Sequence, residues 1–156
     1  MPLLLAGLML IPFAPPAAAS ITSAQIDSAE SRVVTLINAE RTVRGLRPLY
    51  PYSKLMMIAA MRSGYMARTG WFSHTEKSGR TVFGYLRTYG IRWVAAGEVI
   101  AWNTYYSLYD SARTVVRQWM GSSVHRAILL GNYRLIGIGL GVAGSKRYWT
   151  GVFVRQ

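Results

Sequence analysis

The C-terminal stretch constrains the fold most. Arg134–Val142 reads "RLIGIGLGV", Arg147–Val154 reads "RYWTGVFV", and Ala143-Gly144-Ser145-Lys146 lies between them. Two runs of strand-forming residues around a glycine-containing break spell an antiparallel hairpin. A sheet has to cover its apolar faces, and the sequence ahead of the hairpin is helical in pattern. The expectation is therefore an α+β fold, with a sheet packed between helical layers.

The helical elements follow from periodicity. From about Ile21 to Arg44, Ile26, Val33, Leu36, Ile37 and Val43 recur at helical spacing, and Gly45 with Pro48 stops the run. Glu40 falls on this stripe and is read as a partly buried structural acid, pairing an arginine or capping a neighbouring loop. A second helix is expected from Ser53 to Thr69, with Ser53 as N-cap. Its "KLMMIAAMRSGYM" is apolar on more than one face, which places it between two layers, with methionines as core filling. Gly70 ends it, and "WFSHTEKSG" is a loop. A short helix over Thr81–Tyr89, a strand within "WVAAGEVIAW" and a helix over Leu108–Met120 complete the order. There is no internal repeat and no linker.

Gly139, Gly141 and Gly144 match G-x-G-x-x-G letter for letter. Dinucleotide binding requires a helix N-terminus after the glycines and an acid about 20 residues on. A strand follows instead, and no acid lies beyond Asp110. These glycines are better explained by a twisted hairpin and close backbone approach.

The chain opens "MPLLLAGLMLIPFAPPAAAS". The apolar run is too short and proline-broken to span a bilayer, and Ala17-Ala18-Ala19 forms a small-residue cleavage pattern. Residues 1–19 are read as a signal peptide, despite the lack of a leading basic residue. Residues 20–156 are read as one domain with no membrane span after cleavage, expected to be a monomer. There is no cysteine, which excludes thiol catalysis and thiolate metal ligation. The formal charge is +12, from 18 basic residues against 6 acids. Such a field attracts anionic polymers and lipid without selecting among them. The basic residues are scattered, without a polybasic run, and together with export this argues against nucleic acid as the target.

Only two histidines and six acids compete for a site. His74 lies in a loop after a buried helix, and His125 lies in "WMGSSVHRAILL". Glu98 sits among Ala, Gly, Val and Ile, so it faces a polar cavity or carries a desolvation cost of several kcal/mol. Converging, the three would make a two-His, one-Glu set for zinc or another divalent cation, or a metal-free acid–base group. The bland alternative is three unrelated groups, each satisfied locally.

Taken in order, "LINAERTVRGLRPL", "FSH", "AGEVIAW", "QWMGSSVHRAILLGNYRLIGIG" and "YWTGVFV" resemble the CAP superfamily of cysteine-rich secretory, antigen-five and pathogenesis-related proteins. The likeness is to its short, cysteine-free bacterial branch and runs from about Ala29 to Val154. It implies a three-layer α–β–α sandwich, a secreted or periplasmic location, and a solvent-open cavity of two His and two Glu that holds a divalent metal in some members. Carried over, the cavity residues are His74, Glu98 and His125, with Val99 where the family usually has Asn. The family's second Glu should follow Trp119, where Met120, Gly121, Ser122 and Ser123 stand instead.

Three functions are open on these residues. The preferred one is a secreted binding protein whose His/Glu cavity takes a metal or small ligand, such as a lipid, glycan or cell-wall component. Trp102, Tyr105, Tyr106 and Tyr109, beside Trp71 and Trp93, would serve as aromatic platforms, although core packing is the better expectation for them. The second is a metal-assisted hydrolase using His74, Glu98 and His125, in which no general base remains once Glu98 is a ligand. Ser122 and Ser123 lack the strand–turn–helix elbow of a serine nucleophile. The third is a basic binder of anionic cell-wall polymer or lipid.

Overall fold

The computed structural model describes residues 20–105 and 107–156; the expected signal peptide, 1–19, and Tyr106 lie outside them. The elements are α1 (Ser23–Thr42), β1 (Tyr50–Pro51), α2 (Ser53–Thr69), α3 (Val82–Thr88), β2 (Ala95–Asn103), α4 (Leu108–Gly121), α5 (Ser123–Leu129), β3 (Leu135–Ala143) and β4 (Lys146–Arg155). The strands form one sheet in the order β1-β3-β4-β2. β3 and β4 are the expected hairpin, in register Leu135↔Val154 to Ala143↔Lys146, and β2 runs antiparallel to β4 on the other side. β1 pairs parallel with Leu135 and Ile136 alone.

Helices cover both faces, giving an α–β–α sandwich. Helix α2 lies on β3 and β4, while α1 and α4 pack together on the opposite face. The larger core joins Val33 and Ile37 of α1, Val115 and Trp119 of α4, and Ile136, Ile138, Trp149 and Phe153 of the sheet. The smaller one joins Leu55 and Ile58 of α2 to Val82, Leu86, Val152 and Val154.

The glycines of β3 bring the α2 layer close. Gly137, Gly139 and Gly141 alternate along the strand and so share one face. A Cβ on them would come within 2.1, 2.2 and 2.2 Å of the backbone of Leu55, Ala59 and Ser63 respectively. Those positions are spaced four apart on α2, so one helix ridge lies directly on the strand. The Ser63 hydroxyl donates to Gly139 O at 2.8 Å, which seals the contact. This close approach, with Gly144 in the hairpin turn at φ 58°, accounts for the glycine pattern without a nucleotide.

Several boundaries differ from the expectation. Tyr52, not Ser53, is the N-cap of α2, and it supplies no side-chain cap bond. Gly70 does end α2, in the left-handed region at φ 68°. The buried stripe of α1 is Ala29, Glu30, Val33, Val34, Ile37 and Arg41. It is rotated from the one read in the sequence, since Val43 is exposed, while Glu40 is half-buried and pairs with Arg44 at 2.6 Å as expected. The buried acid of α1 is Glu30, whose Oε1 accepts from Leu140 N at 2.9 Å on the edge of β3 that β1 leaves open. The aromatics expected in the core are largely outside it: Trp71, Trp102, Tyr105 and Tyr109 are exposed. Trp93 is half-buried, its ring 6.1 Å from that of Phe83.

Candidate functional site

Arg62 lies on the buried stripe of α2, four residues after Ile58 and four before Met66. It is fully buried. A guanidinium there is tolerable only if its donors are taken up. Nε donates to Glu98 Oε1 at 2.8 Å, and Nη1 donates to Glu76 Oε1 at 3.1 Å. Nη2 donates to the carbonyls of Ser73 and His74 at 2.9 and 3.0 Å and reaches Glu98 Oε2 at 3.4 Å. Burial alone would lower the Arg62 pKa; its bonds and charge contacts with Glu98, then Glu76, outweigh this and raise it. The same guanidinium thus bridges two buried carboxylates and pins the loop that carries His74.

Glu98 comes from β2, and its second oxygen meets His74 Nδ1 at 2.7 Å. A carboxylate only accepts, so in a neutral imidazole this pairing places the proton on Nδ1 and leaves Nε2 as the free acceptor. The His74 side chain is 55% exposed while that of Glu98 is 4% exposed, so an anchored carboxylate holds a presented imidazole. His125, in the first turn of α5, is half-buried. Burial, and after it the charge on His74, push its pKa below the ordinary imidazole value.

Of the three sequence-derived site residues, His74 and Glu98 are in direct contact, and His125 stands on α5, whose Ile128 lines the cavity that His74 and Glu98 share. Among the described residues, no group of three or more His, Asp or Glu is placed to hold a metal ion. Both Glu98 oxygens are engaged, so the donors left over are imidazole nitrogens. This falls short of the three protein ligands of a catalytic zinc site.

Two concavities flank the loop bearing His74. One, of about 460 Å³, is lined by His74, Glu98, Thr81, Phe83 and Ile128. The other, of about 550 Å³, is lined by Phe72, Trp102, Tyr105, Thr114 and Gln118. Exposed rings border the second, and Lys146 Nζ stands 4.6 Å from the Trp102 ring.

Sequence reasoning missed Arg62, Glu76 and Tyr85. Glu76 is buried; beside its Arg62 contact it accepts from Tyr85 OH at 2.9 Å, and Arg80 lies 3.6 Å over the Tyr85 ring. The available signal was Arg62 itself, a cation on an apolar helix stripe that has to answer a carboxylate in an apolar strand.

A family model described as the cysteine-rich secretory protein family, CAP, matches residues 34–153. The uncharacterized protein YkwD of Bacillus subtilis is 33% identical over 130 residues, covering 83% of this chain and 48% of its own length. An extracellular protein of Bacillus anthracis containing an SCP domain superposes with a TM-score of 0.73 at 22% identity, over 89% of this chain and 45% of that one. An outer surface protein of Borrelia burgdorferi gives 0.73 at 18% identity, over 83% and 93%. The chain spans about half the length of the two Bacillus relatives. The structural likenesses establish the fold.

Proposed function

The chain belongs to the cysteine-rich secretory protein (CAP) family, and from that premise we propose that it is an exported binding protein whose cleft beside His74 takes a saccharide-bearing cell-wall ligand. The observation that carries this reading is the buried Arg62–Glu98 pair holding His74 in one tautomer, with Nε2 free to accept from a ligand hydroxyl. Rings exposed at Trp102 and Tyr105 add flat apolar surface on which a sugar face can stack. Extracellular and outer-surface proteins share the fold, and the small-residue pattern at Ala17–Ala19 supports removal of residues 1–19 on export.

Calorimetric titration of the purified protein with soluble peptidoglycan fragments tests the reading. Saturable binding weakened about tenfold in His74→Ala, a loss of about 1.4 kcal/mol, is expected. Trp102→Ala should weaken it as well. Binding indifferent to both substitutions would place the ligand elsewhere.

Metal-assisted hydrolysis is the second reading. In its favour, a carboxylate behind Nδ1 is the arrangement that orients a metal-binding histidine. His74 and His125 would then hold the ion, with Glu98 acting through His74 rather than as a ligand. A zinc titration decides it. Stoichiometric uptake abolished by His74→Ala and by His125→Ala would revive the hydrolase, and no uptake by the folded protein would end it.

A further inference from the structure

A third concavity, of about 390 Å³, shares no lining residue with the two beside His74. Its walls are the loop after α1, the turn from α5 into β3 and the end of β4. Four arginines line it, Arg41, Arg47, Arg134 and Arg155, and no carboxylate does. Arg41 is buried and holds the walls together through carbonyls alone: Nε donates to Arg47 O at 2.9 Å, and Nη1 to Leu129 O and Gly131 O at 2.7 and 2.9 Å. Arg155 Nε is buried with no hydrogen-bond partner. A buried donor left unmade is costly, and a donor beside a concavity is made good by whatever fills it.

The molecule has no acid to spare for these cations. Glu76 and Glu98 are taken by Arg62, Glu40 by Arg44, and Glu30 is buried against β3. Asp27 and Asp110 lie on α1 and α4, toward their N-terminal ends, and line no part of this pocket. No acidic side chain of the chain therefore pairs with the arginines that line this pocket.

We propose that this pocket binds a phosphate group of an anionic polymer with phosphodiester repeats. Guanidinium forks match the planar spacing of phosphate oxygens and bind them in pairs. The pocket is concave, its lining cations are all arginine, and its volume takes one phosphate with its flanking ester groups. A flat anionic membrane would call for a spread basic face instead. Arg134 is held over the Tyr50 ring at 5.3 Å, which limits the freedom it loses on binding.

The test uses the full chain with inorganic phosphate and long-chain polyphosphate as probes, followed by calorimetry across a salt series. Arg47→Gln/Arg134→Gln removes two exposed cations from the pocket, and Arg113→Gln/Arg117→Gln removes two exposed cations from α4 as an equal-charge control. The pocket variant should weaken polyphosphate binding at least about tenfold and flatten its salt slope by about 1.5, as two lost phosphate contacts require. The control should change affinity less than about twofold. His74→Ala should leave this binding intact, which separates it from the cleft. Equal losses in the two double variants, or no binding of either phosphate probe at low salt, would overturn the proposal. Tighter pocket-dependent binding to phosphatidylglycerol vesicles than to polyphosphate would overturn it in favour of a membrane.

Discussion

Without the Arg62 guanidinium, two buried carboxylates would face one another with no counter-charge. Glu98 and Glu76 are 4% and 6% exposed at their side chains, so water cannot replace the cation. Arg62→Met is expected to destabilise the protein by about 3–5 kcal/mol, read from the urea midpoint. It should also release His74, whose carbonyl and imidazole both depend on the Arg62–Glu98 pair. His74 and Glu98 were legible in the sequence because a histidine in a loop and an acid among apolar neighbours each demand an explanation. The guanidinium that joins them was not, because hydrophobic periodicity counts arginine as a surface residue. Glu76 was hidden for a similar reason: in a polar loop, an acid two residues past His74 looks solvated.

Among the elements, β3 and α1 make the sharpest predictions. Gly139→Ala would drive a methyl to 2.2 Å from the Ala59 carbonyl carbon, where only the α2 backbone can yield. A loss of 4 kcal/mol or more, roughly, is expected, enough to deplete the folded state at 37 °C. Gly121→Ala, at the end of α4 with nothing within 4 Å, should be neutral or stabilising by up to about 1 kcal/mol. Paired thermal melts compare the two. In α1, burial first, then the charge of Asp27, push Glu30 from its ordinary value near 4.5 to about 7, against the lowering effect of the Leu140 N–H. A carboxyl raised in the fold stabilises fully below its unfolded pKa and loses that contribution as pH climbs through about 7. Melts from pH 5 to 9 should therefore show wild type falling relative to Glu30→Gln by a total of roughly 3 kcal/mol, since each unit is worth about 1.4. Four helices, β2 and the hairpin were readable from periodicity and turn residues. β1 and α5 were not: two residues, or seven opening with a single serine, are too short to show a period. The phase of α1 was misread because its buried face includes Glu30 and Arg41, which no apolar stripe announces.

At the scale of the whole molecule, three acids, Glu30, Glu76 and Glu98, are buried along with three arginines, Arg41, Arg62 and Arg147, so the +12 formal charge of the chain is carried on its exterior. The export reading carries its own prediction. Thr22 caps α1 in a reciprocal pair with Gln25, so a cut between Ala19 and Ser20 spares the first hydrogen bonds of the described fold. Intact-mass measurement of secreted material should give a chain starting at Ser20; a chain retaining residues 1–19 would argue for an uncleaved segment. The three-layer architecture was legible from the order of elements, while the partners of the buried charges were not, because they depend on which arginines and acids the folded chain encloses together. Where Gly137, Gly139 and Gly141 meet α2, the glycines themselves put no side chain against the helix, and main chain comes close to main chain. Arg62 and Ser63 are consecutive on that helix. The spacing between the helix that carries the guanidinium and the sheet that carries Glu98 is consequently held to the tolerance of peptide units. A push on His74 by an arriving ligand would pass through the buried Glu98 and Arg62 side chains to a strand and a helix held in one sandwich, so helix and sheet should respond together.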